Sequence, residues 1–313
     1  MSYPIRLFEP GAVHFITNRC MQSRLLMRPS AEINRIVGGV LARATCIFPV
    51  ELFGFTFESN HFHMLARMLD GACLSDFVAY VEANIARRVG NAVGWSGRFW
   101  HRRFSAEPVL DDDALVGRLL YMALHGPKEG LTDKATEWPG LTSLPELCFG
   151  VVREFEWCDD AGFHEAERRG GHPRRADFVT RYPLKVAVLP CWQQFGDSQR
   201  QRQVCTMIRD EEDQLRLARG GKPVFGVENI LAQDPLSKPE HTKMSPRPLC
   251  HASSAEARVA FRKLYRAFAA AYLEASMAFR KGCVYVEFPL HCFRPPLPWG
   301  WRFDSSGAAF AAT

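Results

Sequence analysis

The chain has 313 residues, 47% of them hydrophobic and 23% charged, with a net charge of +5. That is length for one large or two ordinary domains and an ordinary globular composition, which excludes a disordered or low-complexity chain. No apolar run reaches the roughly 18 to 20 residues of a membrane-spanning helix, so no membrane partner is expected.

The opening MSYPIRLFEPG holds no apolar stretch of the secretory kind, so the cytoplasm is the expected compartment. The ten cysteines are scattered singly, with no C-x-x-C and no zinc-finger spacing. They are expected to be reduced and semi-buried.

In chain order, residues Ala12 to Arg19 alternate as a strand. Ser30 offers an N-cap, and Ile33, Val37, Val40, Leu41 and Ala44 then repeat at helical spacing. Pro49 to Glu58 is rich in aromatic and β-branched residues. After Ser59-Asn60 the run HFHMLAR resumes as a second strand, which predicts a hairpin. Leu74 to Val89 reads as a helix ended by Gly90 and Asn91. Phe104 to Leu110 reads as a fourth strand. The aspartates 111 to 113 cap a helix reaching about His125, stopped by Gly126-Pro127. The order β-α-β-β-α-β-α predicts an α+β fold, a ferredoxin-like antiparallel sheet with helices on one face.

Beyond residue 150 the pattern weakens, and a mainly helical or irregular C-terminal extension is expected over residues 151–313. His164 to Arg181, with five arginines, reads as a surface segment. Asp234 to Ser254, with four prolines, reads as a linker. Ala255 to Lys281 is a long helix with Val259, Leu264, Phe268, Tyr272 and Met277 expected inward. FRPPLPWGWRF reads as an extended stretch and the last nine residues as a frayed tail.

Side chains two apart on a strand share a face, so His61 and His63 point the same way and can share one divalent ion. Taken alone, the pair fits a packed sheet surface as readily. In the helix LVGRLLYMALHGP, Arg118, Tyr121 and His125 lie on a side away from leucines 115, 119 and 120. If that helix crosses the sheet near His61 and His63, His125 completes a three-ligand site with open positions for substrate. A boundary tyrosine and a C-terminal histidine are the bland account of the same helix. Tyr80, the competing tyrosine, lies beside an apolar stripe and is expected to pack.

The segment SNHFHML resembles the PNHVHLL segment of REP-associated and related insertion-sequence transposases, single-tyrosine members of the histidine–hydrophobic–histidine (HUH) superfamily. Two further blocks follow in the same order. GWSGRFWHRRF is similar to the family's G-x-LW-x-x-RF block, and YMALHGPKEGLTDKATEWPGLTS to its Y-I-H-L-N-P-V-R-A-G-L-V … W-S-S block. The resemblance covers roughly residues 10 to 150. It implies a catalytic domain over residues 1–150 and the C-terminal extension of longer bacterial members beyond it.

The resemblance further implies a DNA transposase in which Tyr121 attacks a phosphodiester, becomes linked to the 5′ phosphate and leaves a free 3′ hydroxyl. His61, His63 and His125 would hold a divalent ion, Mg²⁺ or Mn²⁺, although a histidine-rich set also suits Zn²⁺ or Ni²⁺. Where the family commonly has Asn in H-L-N-P, this chain has His125, itself a competent ligand. Relatives with exchanged helices work as dimers, so a homodimer and use of Tyr121 in a partner's site are both admitted. A bacterial, nucleoid-associated cytoplasmic protein is the implied setting.

Between residues 83 and 106 no acidic residue occurs, while Arg87, Arg88, Arg98, Arg102 and Arg103 alternate with Trp95, Phe99, Trp100 and Phe104. Arginines contact phosphates and aromatics stack on unpaired bases, which suits single-stranded or hairpin DNA. The aromatics fit the core equally well. Arg118, one turn before Tyr121, is a further candidate phosphate contact. Two rival functions remain at this level. One is a non-catalytic DNA-binding protein derived from a transposase. The other is a metal-dependent phosphodiesterase that activates water with His61, His63 and a ligand such as His101.

Overall fold

The expected alternation over the first 125 residues is present in a computed structural model that describes residues 5–68, 74–240, 248–283 and 285–295, with the backbone of 301–303 and 309–311. The elements are β1 (His14–Arg19), α1 (Ala31–Ile47), β2 (Val50–Phe57), β3 (His61–Met68), α2 (Leu74–Val93), β4 (Ser105–Pro108) and α3 (Asp112–Ala123). The strands form one antiparallel sheet in the order β2-β3-β1-β4, the ferredoxin-like plan. Local chemistry starts the helices where expected. The Ser30 hydroxyl accepts from the Ile33 N–H, and the Asp111 carboxylate from the Ala114 N–H.

Strand alternation divides the core between two faces. Ile16, Phe55, Phe57, Phe62 and Met64 pack with the apolar stripes of α1 and α2. Phe15, Phe53 and Leu65 point the other way and are covered by Leu115, Leu119 and Met122 of α3. So α1 and α2 share one face, as expected, and α3 takes the opposite one. Gly54 on β2 allows this, because a Cβ there would lie 2.8 Å from Leu119 Cδ1.

Two boundaries differ from expectation. α2 continues through Gly90 and Asn91 and stops before Gly94, whose φ of +67° turns the chain. An interior glycine costs only about 1 kcal/mol against alanine, which the buried stripe through Val89 outweighs. Gly126-Pro127 does not end the helical path but sits in a short turn, α4 (His125–Lys128). Proline is tolerated there because first-turn N–H groups have no helical acceptor.

After α5 (Leu144–Phe149), the extension contains β5 (Arg153–Cys158), α6 (Asp160–Arg168), β6 (Val179–Leu184), α7 (Asp197–Arg219), α8 (Val227–Ala232) and α9 (Ala255–Arg280), then β7 (Trp301–Phe303) paired with β8 (Ala309–Ala311). β5 and β6 form an antiparallel pair laid on α1, and Trp157 and Leu184 join the main core. At Gly39 of α1 the Glu156 carbonyl occupies the place a Cβ would take. His164 to Arg181 is thus partly regular, spanning the end of α6 and the start of β6.

Residues 241–247 of the expected linker and 296–300 of the expected extended stretch lie outside the described residues. The tail expected to fray contributes β8. On α9 the expected inward set is corrected, since Val259, Leu264 and Met277 are 61%, 48% and 58% exposed. Half-buried Phe261, Tyr265, Phe268 and Tyr272, with buried Ala275 and Phe279, form the inward line. Their steps of three and four follow one helix face, whereas steps of five drift off it. Among the described residues no helix is long and apolar enough to cross a membrane.

Candidate metal centre and its tyrosine

His61 and His63 leave β3 on the face covered by α3, and His125 comes from the first position of α4. All three are buried, and one nitrogen from each lies within 4.8 Å of the others. His61 Nε2 and His125 Nε2 are 3.1 Å apart. His61 Nδ1 is 2.7 Å from Asn60 Oδ1, so with Nδ1–H donating, its Nε2 lone pair aims at the centre. Glu58, 3% exposed, lies with Oε1 3.5 Å from His125 Nδ1 and accepts from the Thr56 hydroxyl at 3.3 Å.

Several polar atoms here are buried without a hydrogen-bond partner: both ring nitrogens of His63, His125 Nδ1 and Glu58 Oε2. Buried polar atoms are seldom left so. Two imidazole nitrogens facing each other at 3.1 Å, beside a third ring with none satisfied, match what a divalent cation requires of its ligands. The residues therefore fit a metal. Burial holds His61 and His63 well below the ordinary imidazole pKa and His125 at about 4. All three are neutral near pH 7, the ligating form. Burial also pushes the Glu58 carboxyl up to about 8.

Tyr121 on α3 is half-buried beside the triad of its own chain, its ring 5.4 Å from that of His63 and 5.6 Å from that of His125. Arg118 and Lys128 each lie 4.9 Å from the Tyr121 ring centroid. Burial and then the Glu129 charge raise the phenol pKa, against the pull of Arg118 and Arg19. Triad and tyrosine open onto a cavity of about 520 Å³, which Arg19, Glu58 and Glu129 also line. Two extension residues, Gln233 and Pro239, close one side. They are anchored where the Leu25 N–H donates to the Ser237 carbonyl at 3.3 Å and the Phe225 N–H to the Gly130 carbonyl at 2.8 Å.

The expected arginines divide. Arg87, Arg98 and Arg103 are exposed, Arg102 is half-buried, and Arg118 leans over Tyr121. Arg88 is directed elsewhere, pairing with Asp160 at 2.9 Å and lying 3.8 Å over Trp157, where it ties the β5–β6 hairpin to α2. Phe99, Trp100 and Phe104 are core residues, and Tyr80 packs against Phe48 and Trp157. The loop carrying Arg98 to Arg103 is bonded to the end of β1: the Met21 N–H donates to Phe99 O at 2.7 Å and the His101 N–H to Arg19 O at 2.8 Å. His101 is exposed and outside the triad.

Sequence reasoning missed Arg19, Glu58 and Lys128. Arg19 could have been found, because it stands two residues beyond Thr17 on the strand alternation that faces α3. Glu58 carried no signal, since a carboxylate next to a hairpin turn ordinarily faces water.

No protein-family model matches the chain, and no curated protein is similar to it. Among solved structures it is similar to a REP-associated tyrosine transposase bound to a REP hairpin, at 16% identity and a TM-score of 0.40, covering 55% of this chain and 89% of that one. It is also similar to a candidate transposase from Deinococcus radiodurans R1, at 14% identity and a TM-score of 0.29, covering 38% of this chain and 92% of that one.

Proposed function

We propose that this chain is a metal-dependent single-tyrosine DNA transposase, which nicks and rejoins single-stranded or hairpin DNA through a 5′-phosphotyrosine. The observation that carries the reading is the meeting, over one cavity, of a neutral histidine triad with a tyrosine 60 residues further along the chain. The ordered sequence blocks that resemble the HUH transposases support it independently.

His61, His63 and His125 would hold the ion, Mg²⁺ or Mn²⁺, which would supply positive charge to the scissile phosphate and the departing 3′ oxygen. The Tyr121 oxygen forms the new bond to phosphorus as the bond to O3′ breaks. The phenol proton is lost and the 3′ oxygen gains one. Rejoining runs the same exchange backwards from a 3′ hydroxyl. Arg118 and Lys128 flank the ring and favour the phenolate by charge. Arg87, Arg98, Arg102 and Arg103 contact phosphates outside the cavity, while Arg88 serves the fold. Such a protein works on the nucleoid in a bacterial cytoplasm, and a homodimer remains compatible with each chain using its own Tyr121.

Hairpin DNA labelled at the 5′ end or at the 3′ end separates this chemistry from hydrolysis. With Mn²⁺, protein-linked label is expected only on the fragment 3′ of the nick, and its partner should end in a free 3′ hydroxyl. Label released from protein at both ends would identify a phosphodiesterase instead. Hairpin binding with no cleavage would identify a non-catalytic DNA-binding protein.

A further inference from the structure

We propose that Arg19 is a catalytic residue that grips the scissile phosphate opposite the metal site. The inference rests on the transposase reading above and names its phosphate contact. Arg19 ends β1 directly opposite His61, while Thr17 stands opposite His63. Paired residues in an antiparallel ladder project to the same face, so the Arg19 side chain leaves the sheet beside both histidines and lines their cavity.

Arg19 is half-buried, yet among the described residues it makes no ion pair and its side chain donates no hydrogen bond. Arg67, Arg88 and Arg153, also partly buried, are matched with Glu51, Asp160 and Glu146, whereas Arg118 beside Tyr121 shares the unpaired state of Arg19. A guanidinium partly withdrawn from water with no acceptor bonded to it is costly to the fold, and its donors are available to an anion. Burial disfavours the charged guanidinium itself. Glu129 lines the same cavity and acts on Arg19 in the opposite sense.

A phosphodiester brings the missing acceptors. The planar guanidinium matches two phosphate oxygens at once, which a lysine ammonium does not. As Tyr121 O bonds to phosphorus and the bond to O3′ breaks, negative charge builds on the non-bridging oxygens. Arg19 is placed to donate to them. The loop of Arg98 to Arg103, bonded to the same end of β1, continues positive charge outward along the strand's path.

The test is single-turnover formation of the protein–DNA adduct by wild type, Arg19→Ala and Arg19→Lys, on a hairpin with either a phosphodiester or an uncharged methylphosphonate at the scissile position. Arg19→Ala is expected to slow the phosphodiester reaction about 100-fold, with Lys recovering part of it, and without weakening Mn²⁺ binding. On the methylphosphonate the Ala defect should shrink at least about tenfold, because the charge that Arg19 opposes is gone. An Ala variant within about threefold of wild type, or equal defects on both linkages, overturns the proposal. If wild type forms no adduct at all, the transposase reading fails instead. The phosphate contact is then judged by single-strand binding, where Arg19→Ala should reduce the salt slope by about 0.7 and an unchanged slope refutes it.

Discussion

Glu58 is a buried side chain placed to tune a metal bound by the histidine triad. With its carboxyl 3.5 Å from His125 Nδ1, it can accept that ring's proton and leave Nε2 free toward His61. Outer partners of this kind typically tune metal affinity 10- to 100-fold. Glu58→Gln, which keeps the shape, should therefore weaken Mn²⁺ binding about tenfold by calorimetry, and His63→Ala should abolish it. Unchanged affinity in Glu58→Gln would show that the carboxyl only fills space.

The same residues set a pH dependence. The three imidazoles have folded pKa values below the ordinary 6.5, His125 at about 4, so the unfolded chain binds more protons as pH falls below 6.5. Their contribution to stability is present above pH 6.5 and is lost progressively toward pH 4. Glu58, raised from 4.5 to about 8, works in the opposite sense and removes stability between those values as pH rises. Three groups outweigh one below pH 6.5. In EDTA the Tm should climb from pH 4.5 to 6.5 and then flatten or decline toward pH 8. A Tm that falls between pH 4.5 and 6.5 would contradict the neutral triad. Of these residues His61, His63, Tyr121 and His125 were singled out in sequence, where strand and helix spacing left each pair ambiguous and the resemblance to the HUH blocks joined them into one candidate site. Glu58 and Asn60 act through contacts that no periodicity encodes.

At the scale of elements, the site depends on α3 crossing the sheet close enough for Tyr121 to meet His63, which Gly54 permits. On the other face Gly39 does the same for β5, and the obstruction there is backbone rather than a flexible side-chain end. Gly39→Val should thus cost about 1–3 kcal/mol, read as a Tm several degrees lower, with adduct chemistry kept in the folded fraction. A Tm equal to wild type would mean that β5 does not lie so close. The β-α-β-β-α-β-α order was readable because each segment had one clean period and a capping residue such as Ser30 or Asp111. The β5–β6 pair escaped notice because its strands are half exposed and its arginines mask the alternation. The stripe of α9 was misread because aromatic and alanine positions, rather than the aliphatic ones, turned inward.

For the whole molecule, the C-terminal extension is built into the first 150 residues. Trp157 and Leu184 complete the α1–α2 core, Arg153 pairs with Glu146 at 2.7 Å, and α7 delivers buried Glu212 to cap the Ala135 N–H at 2.6 Å. One cooperative transition is expected for the full chain, by circular dichroism and by tyrosine and tryptophan fluorescence alike. A fragment ending at residue 150, with the α1 face uncovered, should aggregate. Two separated transitions, or a soluble folded fragment, would make the extension an independent domain. Sequence weakness beyond residue 150 concealed this sharing, since contacts between distant segments leave no local pattern.

The central claim is that His61, His63 and His125 serve Tyr121 in one reaction. It is tested most directly by the intact mass of the protein after incubation with hairpin DNA and Mn²⁺. Wild type is predicted to gain the mass of the DNA fragment 3′ of the nick, on a peptide containing Tyr121, while Tyr121→Phe, His63→Ala and EDTA-treated protein gain nothing. An adduct that persists in Tyr121→Phe, or no adduct on wild type, would contradict the account.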